Sequence, residues 1–112
     1  MSISHTLKEY LDREHVHYEV LPHPAAFRAV FIAQTLHTPV NEIAKVVVVK
    51  ADHRFVMTVL PASWNVDLHR LRDVFRAHHM RLATEDEIKA LFPDCEVGAM
   101  PPFGNLYGLD VY

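Results

Sequence analysis

The chain has 112 residues, half of them hydrophobic and 22% charged, which is typical of one globular domain with a modest core. Its formal net charge of −3 gives no overall attraction to nucleic acid or anionic lipid, so an anion-binding surface must be a local patch. The single cysteine, Cys95, excludes an intrachain disulfide. No apolar run reaches the roughly 18 residues of a membrane helix, and the amphipathic N-terminus is not an export signal, so a cytoplasmic protein is expected.

The N-terminal third is predicted to form a helix, a strand and a second helix. Apolar residues at helical spacing predict a first helix that ends near Glu14. Val16, Tyr18 and Val20 then alternate with polar residues, which is typical of a half-buried strand. The loop "PHPAAF" separates this strand from the mostly apolar helix "FRAVFIAQTLH".

A β-hairpin is predicted for the middle of the chain. Before it, Thr38 as an N-cap and Pro39 as a first helical residue predict a short helical turn that extends to Ile43. The two strands are predicted at Lys45–Ala51 and Phe55–Leu60, joined by "DHR". The four consecutive valines of the first strand indicate burial on both faces.

The C-terminal half is predicted to contain two helices, a short strand and a glycine-containing loop. Asp67 caps the first helix, and Thr84 with Glu87 forms a capping box for a helix that extends to about Phe92. The segment "MRLA" between these helices is a predicted strand, and short extended pieces close the chain. The order of elements predicts a mixed α/β fold whose sheet need not be all parallel. In the helix capped by Asp67, Leu68, Leu71 and Phe75 are predicted to form a buried stripe.

Lys45 is the first candidate for chemistry because it stands at the mouth of an apolar strand. By alternation its side chain shares a face with Val47 and Val49, and Val46 faces the other way. One interpretation is a solvated ammonium at a strand end, since lysines are almost never fully buried. The other is a cation at a pocket mouth, which binds a phosphate or stabilises charge on a reacting oxygen.

The three glycines of the chain form the second signal, because all of them lie in "GAMPPFGNLYG". Glycine is used where φ must be positive or where another group approaches the main chain closely. Pro101 and Pro102 stiffen the segment between Gly98 and Gly104. The segment is either a binding wall with exposed N–H groups or a structural turn, and it matches neither the phosphate-loop nor the dinucleotide fingerprint.

Other reactive side chains give weaker signals. The nine histidines contain no HExxH pattern and are interpreted as scattered surface residues. Cys95 lies between Asp94 and Glu96, whose charges raise the pKa of its thiol and weaken it as a nucleophile. No serine stands in a GxSxG setting.

Arginines concentrate positive charge in the region of residues 69–81. His69, Arg72, Arg76 and His79 follow one face of the predicted helix at helical spacing. Such a run is either a solvated helix face or a patch that contacts phosphates, and Arg72 and Arg76 are the candidate contacts.

Five segments together resemble the YbaK/prolyl-tRNA synthetase-associated domain family. They are "HPAAF", "IAKVVVVKAD", "VMTVLPASWNVDLHRL", "RLATEDEIKALFPDCEVGAMPPFG" and "LYGLDVY", which cover nearly all of the chain from Tyr18 onward. The most specific part is the pair "AKVVVVK" and "EVGAMPPFG" at this spacing. The resemblance implies one domain over residues 1–112, an α/β (mixed α+β) fold with a central mixed, partly barrel-like sheet flanked by helices.

The resemblance also implies an activity, hydrolysis of the ester that joins a wrong amino acid to a tRNA. Such proteins act alone, as trans-editing enzymes, or as insertion domains of prolyl-tRNA synthetase, so tRNA and a synthetase are the implied partners. No metal or organic cofactor is expected. Lys45 and Gly98 are the implied catalytic residues. The implied substrate contacts are Phe27, Val46, Ala99, Met100 and Pro101, and Arg72 and Arg76 are the candidate tRNA contacts.

Three features depart from the family pattern. Val46 replaces a polar residue that often follows the lysine, and "FRAVFIA" replaces a more polar run. Relatives usually continue beyond the position of Tyr112 through another strand or two. The apolar ending "LDVY" therefore predicts an unpaired edge, so either the chain is a fragment or a partner, such as a second copy in a homodimer, covers it. Val46 and the missing C-terminal segment favour the alternative of a non-catalytic module that binds aminoacyl-tRNA or a protein, whereas Lys45 with the intact "GAMPPFG" favours the enzyme.

Overall fold

The structure is a computed structural model that describes residues 4–21, 32–34, 36–95 and 98–112. None of the helices in these ranges is long and apolar enough to cross a membrane. The regular elements are α1 (His5–Arg13), β1 (Ala44–Ala51), β2 (Arg54–Pro61), α2 (Leu68–Phe75), β3 (Met80–Leu82), α3 (Glu85–Leu91) and β4 (Asp110–Val111), with 3-10 turns at Val40–Glu42 and Gly104–Leu106.

Helix α1 confirms the first predicted helix, but the strand predicted after it is wrong. The Ser4 side chain accepts a hydrogen bond from the backbone N–H of Leu7 and caps the helix. Residues 16–20 belong to no strand, and the side chains of Val16 and Val20 are 47% and 54% exposed. Alternation needs a neighbouring strand to become a sheet, and these residues pair with none of the four described strands.

The N-terminal loop and second helix lie mostly outside the described residues. This holds for "PHPAAF", with Phe27, and for the start of "FRAVFIAQTLH", of which residues 32–34 are helical. The following turn is present at Val40–Glu42, but Thr38 is not its N-cap. Pro39 holds that position without a side-chain hydrogen bond, and the Thr38 hydroxyl donates to the Leu36 carbonyl instead.

Strands β1 and β2 confirm the predicted hairpin and extend it slightly at the ends. They pair antiparallel from Ala44 opposite Pro61 to Ala51 opposite Arg54. The turn contains two residues rather than the predicted three, and Asp52 adopts a positive φ of 54° in it. Asparagine and aspartate tolerate this conformation better than most residues, which accounts for an aspartate at this position.

The four strands form a mixed sheet in the order β3-β1-β2-β4, which confirms the predicted fold class. Strand β3 is antiparallel to β1, and β4 is parallel to β2. Within the described ranges the sheet is open, with β3 and β4 at its edges, and the hairpin lies at its centre. The predicted "MRLA" strand and the final "LDVY" strand are therefore the two edges.

The core lies mainly on the sheet face that carries the even-numbered residues of β1. Val48, Met57 and Phe92 form a buried cluster there, and Val46, Met100 and Tyr107 pack against it. On the opposite face Val49 and Val56 are fully buried. The valine run is thus buried on both faces at its C-terminal end, as predicted.

Helices α2 and α3 begin at the predicted caps. The Asp67 carboxylate accepts the Arg70 N–H at 3.1 Å, and Thr84 and Glu87 complete a capping box. The predicted stripe of α2 is half-buried rather than buried. An apolar groove of about 260 Å³ remains between α2 and β2, and Leu60, Arg70, Val74 and Tyr112 are among its lining residues.

Candidate active site

Lys45 is the second residue of β1, and its ammonium is held at the mouth of the strand. Its Nζ donates a hydrogen bond to the carbonyl oxygen of Trp64, a residue that follows the end of β2. A lysine ammonium has three N–H donors, and within the described residues this bond uses one of them. No carboxylate among the described residues forms an ion pair with it. The Lys45 ammonium thus has one backbone carbonyl as a partner and no carboxylate partner among the described residues.

Val46 and Met100 both lie against the core, and the Lys45 side chain lies on another face of the sheet. Both apolar side chains pack against the cluster of Val48, Met57 and Phe92. Because Lys45 is opposite Leu60 in the register, its side chain lies on the other face of the sheet from Val46. The lysine and the 98–102 loop therefore approach β1 from different faces.

The loop of residues 98–102 combines an exposed start with an anchored end. Gly98 is exposed and has a φ of 85°, a conformation that favours glycine. Ala99 and Met100 are half-buried, and Pro101 is buried. Within the described parts of the chain, the backbone N–H groups of residues 98–100 donate to no protein acceptor. Among the described residues these groups therefore have no backbone partner, and we treat them as candidate donors to an external oxygen.

The structure also explains why glycine stands at positions 104 and 108. A Cβ added to Gly104 would lie 2.5 Å from Cγ2 of Val111 and 2.6 Å from the carbonyl oxygen of Leu109. Gly108 has a φ of 69°, and a Cβ there would meet nothing within 4 Å. The glycine positions therefore confirm the two predicted uses, positive φ and close approach.

A polar network ties the two ends of this loop to α1. The Ser4 hydroxyl donates to the Asp94 carboxylate at 2.6 Å, and the Tyr107 hydroxyl donates to the same group at 3.0 Å. The hydrogen bond from Ser4 is the main reason that the pKa of Asp94 is lowered. Burial, with a smaller effect of the Asp94 charge, raises the pKa of the Cys95 thiol, which confirms the predicted direction.

A second feature is a basic cleft of about 510 Å³ at the opposite end of β1. It contains Arg72 but not Arg76, which lies at the C-terminal cap of α2 with a φ of 53°. The cleft joins the end of β1, the start of α2 and strand β3. Its lining residues are Lys50, Asp52, Leu68, His69, Arg72, His78, His79, Met80 and Arg81.

Asp52 is the acidic residue that lines the cleft, and its carboxylate accepts hydrogen bonds from backbone N–H groups. Asp52 accepts hydrogen bonds from the N–H groups of His78 and His79 at 2.8–3.1 Å. These two bonds, led by the one from His79, lower the pKa of Asp52. Arg81 is bound to both carboxylate oxygens of Glu87 at 2.7 and 2.9 Å. In the described ranges, no group of three histidine, cysteine or acidic side chains is placed to hold a metal ion.

Sequence reasoning missed the part that Lys50, Asp52 and His78 play in the cleft. Lys50 ends the same "KVVVVK" run that Lys45 begins, but a lysine at a strand end gives no signal of its own. The contact between the hairpin turn and residues 78–79 joins segments that are 26–27 positions apart. No local pattern indicates such a pairing.

The chain matches one family model and is similar to segments of two curated ligases. A family model described as the aminoacyl-tRNA editing domain matches residues 23–112. The proline–tRNA ligase of Macrococcus caseolyticus is 27% identical over 108 residues, which cover 96% of this chain and 17% of the ligase. That of Staphylococcus epidermidis is 31% identical over 71 residues, which cover 63% of this chain and 12% of the ligase. The chain thus spans less than a fifth of the length of these curated relatives.

The fold has a counterpart among solved structures. A candidate trans-editing enzyme for prolyl tRNA synthetase superposes with a TM-score of 0.71 at 24% identity. The match covers 90% of this chain and 66% of that chain. At this level of identity the similarity concerns the fold.

Proposed function

The chain belongs to the aminoacyl-tRNA editing domain family, and from that premise we propose that it hydrolyses the ester of mischarged tRNA in trans. One observation carries the proposal: the family match includes both Lys45 and the 98–102 loop, whose N–H donors make only one hydrogen bond, from Lys45 to Trp64, within the described residues. The first can bind an anionic part of the substrate, and the second can bind a developing oxyanion.

The proposed reaction needs no covalent enzyme intermediate. The oxygen of a water molecule attacks the ester carbonyl carbon, and the carbonyl oxygen becomes the oxyanion of a tetrahedral intermediate. The bond from carbon to the ribose oxygen then breaks, and the ribose oxygen takes up a proton. The products are a free amino acid and an uncharged tRNA. The vicinal ribose hydroxyl of the substrate assists the water, which is compatible with the absence of a Ser/His/Asp set in the sequence.

Lys45 and the loop have different proposed roles. The ammonium of Lys45 holds the terminal nucleotide through its phosphate. The N–H groups of residues 98–100 donate to the oxyanion, where preorganised donors are most effective. Because these groups lie on different faces of β1, the substrate must wrap around the mouth of the strand, with its phosphate on the lysine side and its ester over the loop.

The amino-acid side chain is proposed to meet an apolar surface. Val46, Ala99, Met100 and Pro101 carry no charged group, and Phe27 is the remaining proposed contact. A surface of this kind selects by steric exclusion, and each methylene group is worth about 1–3 kcal/mol. A small amino acid attached to the wrong tRNA is the class of substrate that such a second sieve removes.

Arg72 and Arg76 are proposed to contact tRNA phosphates. Both side chains are exposed and neither forms an ion pair with the described acidic residues. The partner is a mischarged tRNA, with an aminoacyl-tRNA synthetase as the source of the error. Activity in the compartment of translation, the cytoplasm, follows from such a substrate.

A panel of mischarged tRNAs tests the proposal. The parent protein is expected to release the amino acid from at least one of them, and Lys45→Ala is expected to abolish that release without a change in melting temperature. Lys89→Ala is the matched control, because Lys89 is an exposed lysine on α3 that pairs with Glu85. Full activity of Lys45→Ala on a substrate that the parent cleaves would contradict the assignment.

A binding module without activity is the second candidate. It is favoured by Val46, whose side chain packs on the core cluster and offers no polar group next to Lys45. In that case the parent would bind aminoacyl-tRNA and protect the ester from spontaneous hydrolysis. The same panel separates the two candidates, since one shortens and the other lengthens the lifetime of the ester.

A further inference from the structure

The basic cleft lies at a defined distance from Lys45 along the same strand. Lys50 lies five positions after Lys45 in β1, and a strand rises by about 3.3 Å per residue, so their backbones lie roughly 17 Å apart. Stacked nucleotides advance by about 3.4 Å each along one strand, so that length corresponds to about five nucleotides. By alternation the Lys50 side chain lies on the Val46 face of β1, the face on which the ester is proposed to lie, so the strand links the proposed ester site to a second cationic site.

The charge available in the cleft comes from two side chains. Lys50 and Arg72 form no ion pair with any acidic residue in the described ranges. The Lys50 ammonium lies 5.5 Å from the ring centre of Phe55, and the Arg72 guanidinium lies 3.4 Å from Nδ1 of His69. Neither contact neutralises a positive charge, so both cations remain available to an anion.

Two negative groups lie in or beside the cleft, and one of them is paired with a cation. The carboxylate of Asp52 accepts two backbone N–H groups, and Glu87 is paired with Arg81. Asp52 keeps its negative charge and Arg81 is balanced by Glu87, so the two cations of Lys50 and Arg72 leave the cleft with a net positive charge, on a chain whose formal charge is −3. This contrast indicates a specific anionic ligand rather than general attraction to anions.

We propose that this cleft binds backbone phosphates of the tRNA acceptor end, within about five nucleotides of the esterified ribose. The inference rests on the proposed function, because it takes Lys45 as the position of the terminal nucleotide. Lys50 and Arg72 contact phosphates. The exposed imidazoles of His69, His78 and His79 can stack on unpaired bases or donate to phosphate.

The surface position and polar lining of the cleft fit a polymer better than a small metabolite. At about 510 Å³ it is formed by three separate elements on the protein surface, and polar side chains make up most of its lining. Small-molecule sites, by contrast, are mainly apolar and enclose their ligand. A nucleic-acid backbone needs only cations at intervals along a surface.

The test measures how binding of uncharged tRNA depends on salt. The double variant Lys50→Gln with Arg72→Gln is compared with the parent by fluorescence anisotropy from 0.05 to 0.3 M salt, roughly the range over which phosphate contacts weaken strongly. The log–log slope should become shallower by roughly 1.4–1.8, and affinity at about 0.1 M salt should fall roughly 25- to 60-fold. An unchanged slope would overturn the proposal.

Arg70→Gln is the matched control on the same helix. Arg70 lines the apolar groove on the other side of α2, and its guanidinium lies 3.7 Å from Asp67. Its loss should leave the slope at the parent value. If Arg70→Gln reduced the slope as much as the removal of one cleft residue, the effect would be one of net charge, and the cleft would lose its assignment.

A second RNA tests the position of the contact. An acceptor-stem hairpin with its unpaired 3′ end should show the same difference in slope as whole tRNA. A difference seen with tRNA but not with the hairpin would place the contact elsewhere on the tRNA and overturn the inference. Both measurements use uncharged RNA, so failure of the proposed hydrolysis on the mischarged panel would be recognised separately.

Discussion

Substitution of Gly98 separates a catalytic loop from a structural turn, because the chain contains a matched control. Gly98 and Gly108 have φ angles of 85° and 69°, so alanine is strained at both positions. The cost of that strain is about 1–2 kcal/mol at each site. In a domain of about this size, each kcal/mol lowers the melting temperature by roughly 4–8 °C. Both variants should therefore lose stability to a similar extent.

Their effects on hydrolysis should differ. In the proposed mechanism the main chain at Gly98 faces the ester, so a methyl group there displaces the carbonyl oxygen from its donors. Loss of one such donor typically costs on the order of 100-fold in rate. A Cβ at Gly108 meets nothing within 4 Å, so Gly108→Ala should keep the parent rate per folded molecule.

Single-turnover hydrolysis and a melting curve on the same preparation measure the two effects. The rate constant for Gly98→Ala should fall far more than its affinity for tRNA, because the lost interaction is made mainly in the transition state. A normal rate with a lowered melting temperature would show that Gly98 has a structural role and no catalytic one. Equal rate losses in the two variants would also refute the argument, since a common cause would then be folding.

Three further predictions concern stability, pH and tRNA binding. Gly104→Ala should lower the melting temperature, because its Cβ would lie 2.5 Å from the Val111 side chain; overpacking of this kind costs about 1–3 kcal/mol, and an unchanged melting curve would contradict it. Bonding to Arg81, and then to the Thr84 N–H, lowers the pKa of Glu87 to about 2 from 4.5. Its stabilisation is therefore complete above pH 4.5 and is lost as pH falls towards about 2, so Glu87→Gln should show a shallower loss of melting temperature over that interval. Arg76→Gly should raise the melting temperature, because Arg76 has a φ of 53° at the helix end, and should reduce the salt slope for tRNA by roughly 0.7–0.9 if its cation contacts phosphate; a parent-like slope would remove Arg76 from the interface.

The sequence patterns correctly predicted the helix caps and the hairpin, which depend on residues close together in the chain. The capping box at Thr84, the Asp67 cap and the hairpin that contains the valine run are all determined by residues within a few positions of each other. The strand predicted for Val16–Val20 failed for the converse reason. Its alternating pattern is real, but whether a strand forms depends on a partner that the pattern does not specify.

In the candidate site, too, the features determined by neighbouring residues were predicted and those that depend on distant residues were not. The sequence singled out Lys45 and the glycine loop because each has an unusual residue in an unusual place. It did not predict that they approach β1 from different faces, although the alternation that places Val46 opposite to Lys45 already contains that result. The cleft around Lys50 and Arg72 was beyond local rules, since it forms only when the hairpin turn meets residues 78–79.

The contacts of α1 extend the site to a part of the chain that contributes no proposed catalytic group. The proposed mechanism requires a rigid 98–102 loop, because backbone donors stabilise an oxyanion only if they are held in place before the reaction. Asp94 and Tyr107 flank the loop and are joined by a hydrogen bond, which closes it at its base. Ser4 donates to the same carboxylate and also caps α1, so one side chain serves both structures. The low pKa of Asp94 keeps this carboxylate charged, and therefore able to accept both bonds, at neutral pH. The position of the loop thus depends on the N-terminal helix, even though that helix lies far from it in the sequence.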